Sequence, residues 1–315
     1  MRFFAFNGDA DGLCALQQLH LAEGGEGGTA AAALITGPKR RTALLAGVSA
    51  GTGDEVTVLD VSFHSNREAV LRLLAAGARV RYFDHHYAGE LPVHVRLEAH
   101  IDTTATICTS VIVDRYLGGA QRAWAAVGAY GDNLAATGRS LKDSRELEKL
   151  GTLLNYNSYG ESDQDLFFPP AELHRRLMPH ADPMEFLKDP AYRVLADGYA
   201  EDMQRAANLK PRAARGNAAV YVLPNESWAR RVSGALANHL ARSAPERAHA
   251  MLSPNTAGGM QVSVRAPLER PEGAAALCME YETGGGREAA AGINHLPAER
   301  VAGFTDRFLE YYRKN

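Results

Sequence analysis

The stretch Ala78-Arg79-Val80-Arg81-Tyr82-Phe83-Asp84-His85-His86 limits the fold more than any other. β-branched and aromatic residues run straight into a carboxylate and two imidazoles, as in a short buried strand whose C-terminal edge carries metal-binding or proton-transfer groups. Open α/β sheets collect their ligands at that edge. Two upstream runs end the same way. Phe3 to Phe6 leads into Asn7-Gly8-Asp9-Ala10-Asp11-Gly12 and then a helical pattern through Leu13, Leu16 and Leu19. Glu55 to Leu59 ends on Asp60, and a helix follows from about Asn66 until Gly77 stops it. Ala31 to Thr36 is a further strand, after a glycine-rich loop from Glu23 to Thr29. Short links between strand, helix and strand imply right-handed crossovers and a parallel sheet. Asp9, Asp11, Asp60, Asp84, His85 and His86 then share one edge of it.

Blander readings compete with this one. Asn7, Asp9, Asp11 and Gly12 nearly fit a calcium-binding loop, but Gln18 lacks the bidentate carboxylate of its last position and a strand precedes it. Lys39-Arg40-Arg41 faces either a substrate phosphate or, as the better reading, solvent. Ala105 to Leu117 and Trp124 to Tyr130 read as apolar helices, and the pattern stays helical from Ile101 to Leu154. Asp132 follows among small apolar residues, where an unpaired carboxylate is costly to bury; it caps a helix or meets a cation. Leu154 to Gly160 reads as a loop near a functional edge.

A chain of 315 residues predicts two domains. A net charge of -3 argues against coating long nucleic acid. Cys14, Cys108 and Cys278 lie far apart without a Cys-x-x-Cys, so neither a disulfide framework nor a zinc ribbon is indicated. No apolar run reaches membrane-spanning length and no cleavable leader is evident, which makes a cytoplasmic location the expectation. Residues 1–190 form the first domain, 191–215 a helical linker and 216–315 the second. That second part contains strands at Ala218–Leu223, His249–Leu252 and Met260–Arg265, a helix from Trp228 to Ser243 and a short one near Ala274–Tyr281. Basic residues outnumber acidic ones between Lys210 and Arg270, as suits an anionic ligand. Gly284-Gly285-Gly286 before Arg287 is either a flexible loop or a backbone nest for phosphate.

Asn7-Gly8-Asp9-Ala10-Asp11-Gly12, Val58-Leu59-Asp60, Asp84-His85-His86 and Gly131-Asp132, in this order, resemble the DHH phosphoesterase family. Val262-Ser263-Val264-Arg265 and Gly284-Gly285-Gly286-Arg287, with Ala290-Ala291-Gly292, resemble its DHHA1 substrate-binding domain. The resemblance spans nearly the whole chain. It implies an α/β fold with an N-terminal parallel-sheet domain, a smaller C-terminal α/β domain and an active site in the cleft between them. It also implies Mn²⁺- or Mg²⁺-dependent hydrolysis of phosphate esters or anhydrides, with Asp60, Asp84 and His86 carrying the reaction. Asp60 would bridge two ions; Asp11, His85 and Asp132 would complete one site, and Asp9 would serve the other. Asp84 would orient His85, and His86 would contact phosphate. Ser263, Arg265, Gly284, Gly285, Gly286 and Arg287 would hold substrate. Carboxylates with one imidazole suit Mn²⁺ and less specifically Mg²⁺.

Two positions depart from the family pattern. Ala5 stands where many relatives place a metal-binding histidine, so Asn7 would serve as a neutral oxygen ligand and the Asp9 ion would bind more weakly. Arg287 stands in place of the usual histidine after the glycine run and offers a rigid fork to phosphate. The expected substrates are short oligonucleotides or linear dinucleotides, with no long nucleic acid and no membrane partner; a homodimer is admitted. The alternatives are 3′-phosphoadenosine 5′-phosphate, polyphosphate or pyrophosphate as substrate, or an inactive nucleotide sensor.

Overall fold

The computed structural model describes residues 1–24 and 32–313, which leaves most of the glycine-rich loop expected after Glu23 outside the described residues. It divides into two compact units, Met1–Asp197 and Gly198–Asn315. In the first, β1 (Arg2–Phe6), β2 (Ala33–Ile35), β3 (Glu55–Leu59), β4 (Arg79–Asp84) and β5 (Leu97–Ile101) form a sheet in the order β2-β1-β3-β4-β5. All its pairings are parallel. The direction of strand addition reverses between β1 and β3, the point where such sheets bind ligands. Alternate residues Val56, Val58, Val80 and Tyr82 bury one face against Val70, Leu73 and Leu74 of α2 (Phe63–Ala75). Ser62 caps α2, and Gly77 at φ 92° lets the chain turn from its end into β4.

After α1 (Ala10–Ala22) and α2, helices dominate: α3 (Thr109–Tyr116), α4 (Arg122–Gly131), α5 (Ala135–Leu141), α6 (Arg145–Asn157), α7 (Pro170–Leu177), α8 (Pro183–Phe186) and α9 (Pro190–Ala206). β5 replaces the helical start expected at Ile101. It is an edge strand with every residue at least partly exposed, so its sequence carries charge and little apolar contrast. The helix expected from Ala105 begins only at Thr109.

The second unit holds a six-stranded mixed sheet in the order β10-β11-β9-β8-β7-β6. Its strands are β6 (Ala213–Arg215), β7 (Ala218–Val222), β8 (Ala248–Pro254), β9 (Gly259–Arg265), β10 (Gly284–Gly286) and β11 (Ala290–Pro297). β7 and β8 run parallel and the remaining neighbours antiparallel. α10 (Ser227–Ser243) packs on β8 and β9. α11 (Ala274–Cys278) and α12 (Val301–Tyr311) cover one face through Leu277, Phe304 and Phe308, above Val220, Ala250 and Val264. The segment read as a helical linker, 191–215, is helical only in α9; its last three residues are strand β6. The three cysteines are free and buried. Among the described residues no helix is long and apolar enough to cross a membrane.

Candidate metal centre

At the end of β1 the chain turns sharply into α1. Asp9 caps that helix, its Oδ1 accepting from the amides of Asp11 and Gly12 at 3.1 Å each. Asp11, in the first turn, caps a different helix. Its Oδ2 accepts from Thr109 N at 2.7 Å and its Oδ1 from Ser110 N at 2.8 Å, so it ties α1 to the start of α3. Asp60, just past β3, is 2% exposed and sits at φ 57°, a left-handed conformation that aspartate and asparagine adopt more readily than other residues bearing a Cβ. Thr109 Oγ1 donates to its Oδ1 at 3.2 Å.

His85 completes the group. Its Nδ1 lies 3.0 Å from the carbonyl of Ile107 and must donate there, since a carbonyl only accepts. Nε2 then faces Asp60 Oδ1 at 3.3 Å and Asp132 Oδ2 at 3.9 Å. Asp132 follows α4 as its cap residue. Asp60, His85 and His86 offer ligand atoms that all lie within 4.8 Å of one another.

Asp84 does not orient the His85 ring as expected. Its Oδ1 accepts from His85 N at 2.9 Å, His86 N at 3.2 Å and His86 Nδ1 at 2.7 Å, and its Oδ2 accepts from Phe63 N at 3.2 Å. A carboxylate at the end of a strand meets the amides of the next two residues as the chain turns back, and in that turn the near ring is His86. Ile107 performs the role assigned to Asp84. Sequence reasoning misses it because a backbone carbonyl leaves no mark in the side-chain pattern.

Buried acids outnumber the cations beside them, Lys39 and His85. Burial, reinforced by the charges of Asp9 and Asp11, pushes the Asp60 carboxyl well above the usual carboxylate range. Burial also raises Asp132, with Asp11 and Asp9 adding to it against the pull of Lys39 and His85. Burial opposes charge on His85, yet the hydrogen bond and charge of Asp60, with Asp11 and Asp132, carry its pKa up to about 10. Protons are thus retained where a divalent ion would otherwise neutralise the acids. Asp132 Oδ2 and Asn7 Oδ1 are buried without a hydrogen-bond partner, as atoms reserved for a ligand would be. The donor set fits a hard or borderline divalent cation.

Around Asp9 the arrangement differs. The Lys39 ammonium pairs with Asp9 Oδ2 and lies 3.2 Å from Asn155 Oδ1. Lys39 is therefore not the solvated turn residue its Lys-Arg-Arg context suggests. Asn155, on α6, belongs to the stretch read as a loop near a functional edge. Ala5 is fully buried in the apolar cluster beside Val58 and Leu45, within the sheet.

In the second unit the expected substrate residues fall on two strands and a turn. The glycine run is edge strand β10, with Gly285 opposite Gly292 and Gly292 opposite Ser263. These three residues make a smooth row across three strands, in place of the loop or phosphate nest expected. Glycine is needed at Gly284, where a Cβ would meet the Cys278 carbonyl at 1.7 Å, whereas a Cβ at Gly285 meets nothing within 4 Å. Arg265 is held by Asn238 Oδ1 at 2.8 Å. Arg287 is exposed in the turn between β10 and β11.

No family model and no curated protein matches the sequence. Solved structures do match the fold. A structure of exonuclease RecJ bound to manganese is similar over 100% of this chain and 90% of that chain, with TM-score 0.60 and 18% identity. The DHH domain of PF0399, a member of a family of ribosomal proteins, is similar over 99% of this chain and 86% of that one, with TM-score 0.66 and 13% identity. The chain has the DHH-domain fold. A third structure with this fold, the pGpG-specific phosphodiesterase PggH from Vibrio cholerae, is similar over 99% of both chains, with TM-score 0.54 and 15% identity. In the DHH fold of this chain, Asp84-His85-His86 closes β4 beside the sheet's switch point.

Proposed function

We propose that this chain is a divalent-cation-dependent phosphoesterase that hydrolyses short oligonucleotides or linear dinucleotides to mononucleotides. The observation that carries the reading is His85 Nε2 placed between two buried acids at the C-terminal edge of a parallel sheet, 3.3 Å from Asp60 Oδ1 and 3.9 Å from Asp132 Oδ2, the latter an oxygen with no hydrogen bond. The fold neighbours support it: one is an exonuclease bound to manganese and another a phosphodiesterase specific for a linear dinucleotide.

Asp60, His85 and Asp132 would hold the ion, with Asp11 close behind them, and the imidazole favours Mn²⁺ over Mg²⁺. An ion bound there supplies a lowered pKa for water and positive charge against a phosphoryl oxygen. The protein's own groups do the rest. The Ile107 carbonyl accepts from His85 Nδ1, which leaves Nε2 as the ring atom that would face an ion between the acids. Asp84 fixes His86 through Nδ1, which leaves Nε2 as the ring atom for the phosphoryl group. In the second unit, Arg265 and Arg287 supply charge to a phosphate, and the row of Ser263, Gly292 and Gly285 offers flat backbone to a base.

A Mn²⁺-supplemented hydrolysis panel tests the reading with a 5′-phosphorylated dinucleotide, a longer oligoribonucleotide, 3′-phosphoadenosine 5′-phosphate and pyrophosphate. The dinucleotide is expected to turn over fastest and the Asp60→Ala variant to be inactive. Preference for the long oligomer, or ligand binding without hydrolysis of any of them, would overturn it.

A further inference from the structure

Asp9 is expected to serve a second ion, yet the surroundings of its carboxylate are already built. Oδ1 accepts two amides of the α1 N-terminus, and Oδ2, the other oxygen, faces the Lys39 ammonium. Lys39 is held in place from several sides. Its amide donates to the Ser158 carbonyl at 3.0 Å, its ammonium reaches Asn155 Oδ1 at 3.2 Å, and it lies over the Tyr159 ring at 5.9 Å. The loop that carries it is pressed onto the Asp9 turn, since a Cβ on Gly8 would lie 2.2 Å from the Gly37 carbonyl.

A structural ion pair alone accounts poorly for this geometry. A helix N-terminus carries partial positive charge and repels an ammonium, so a lysine there is stabilised only where acids are in excess. Asp9, Asp11, Asp60 and Asp132 provide that excess, the same condition that attracts divalent ions. The position expected to carry a histidine ligand is an alanine within the apolar core.

We infer that the Lys39 ammonium takes the place of a second divalent cation, so that the centre holds one ion, at Asp60, His85 and Asp132. The inference rests on the metal-dependent reading and specifies its stoichiometry. An ion ligated by Asp9 Oδ2 and an ammonium against the same oxygen exclude each other by size and by charge. The lysine is a resident cation, with no affinity to satisfy and no dependence on the metal supply.

Counting Mn²⁺ bound per chain, by equilibrium dialysis with elemental analysis and by electron paramagnetic resonance, tests this on the full-length protein. The wild type is expected to bind one ion, with the six-line spectrum of isolated Mn²⁺. Lys39→Ala is expected to bind two, with an exchange-coupled spectrum. Two ions in the wild type would overturn the inference and leave the metal-dependent reading standing; no ion would sink that reading itself. A Lys39→Ala protein that folds and still binds one ion would also overturn the inference. The wild-type count decides even if the variant fails to fold.

Discussion

Replacing Asp84 by asparagine separates two accounts of the motif that names the fold. The carboxylate is fully buried and accepts four hydrogen bonds, one of them from the His86 ring at 2.7 Å. Asparagine keeps one acceptor oxygen, so its amide N–H₂ must face either Phe63 N–H or the three donors of the Oδ1 side, His85 N, His86 N and His86 Nδ1, and in either orientation the His86 ring loses its bond to a charged oxygen. Losing a hydrogen bond to a charged group costs about 1.5–3 kcal/mol. At roughly 1.4 kcal/mol per decade, kcat/KM is expected to fall about 10- to 100-fold once His86 loses its orientation. Metal affinity should barely move, within about threefold, because the His85 ring is held by the Ile107 carbonyl. Had Asp84 oriented the ligand itself, metal affinity would fall by about 10- to 100-fold. Calorimetric titration with Mn²⁺, alongside kinetics at saturating metal, distinguishes the two. A large loss of affinity with kcat/KM intact would refute the reasoning.

His174 sets an acid limit on stability: burial, with help from His20 and Arg175, holds its pKa down to about 3. The unfolded chain takes up that proton below about 6.5 and the native state does not, so stability falls as pH drops from about 6.5 towards 3. Between about pH 6.5 and 4 the wild type should lose about 3 kcal/mol more than His174→Phe in urea unfolding; parallel losses would remove the assignment. In the second unit, Gly285→Ala should keep the melting temperature, because its Cβ enters open space, and should raise KM for nucleotide if the strand row carries the base as proposed. Gly284→Ala should instead unfold readily, because its Cβ strikes the Cys278 carbonyl; equal melting points for the two would contradict the strand geometry. Asp60→Asn should abolish metal binding while keeping the fold, since asparagine tolerates the left-handed backbone there. Mn²⁺ binding retained by that variant would displace Asp60 from the centre.

Much of the first unit is legible in the sequence because buried parallel strands announce themselves. Phe3–Phe6, Val56–Leu59 and Val80–Phe83 are mostly apolar, β-branched or aromatic runs with acids at or just past their ends, and those polar residues share an edge through topology alone. β5 is not legible, being an edge strand whose exposed residues need no apolar pattern. The acids and His85 are legible as chemistry, but their partners are not. Lys39 reads as a solvated cation because its role depends on a turn from 37 to 41 folding against Gly8, and Ile107 acts through a backbone carbonyl. In the second unit, three glycines suggest a loop, yet they form a strand because β11 presents the matching edge and small residues let α11 approach.

Asp60, His85 and Asp132 are proposed to surround a divalent cation at the end of this sheet. Anomalous diffraction at the manganese edge, from crystals grown with Mn²⁺, tests it directly. A peak flanked by His85 Nε2 and the Asp60 and Asp132 carboxylates is the predicted result. Manganese bound elsewhere on the protein, with these three side chains contacting no ion, would contradict it.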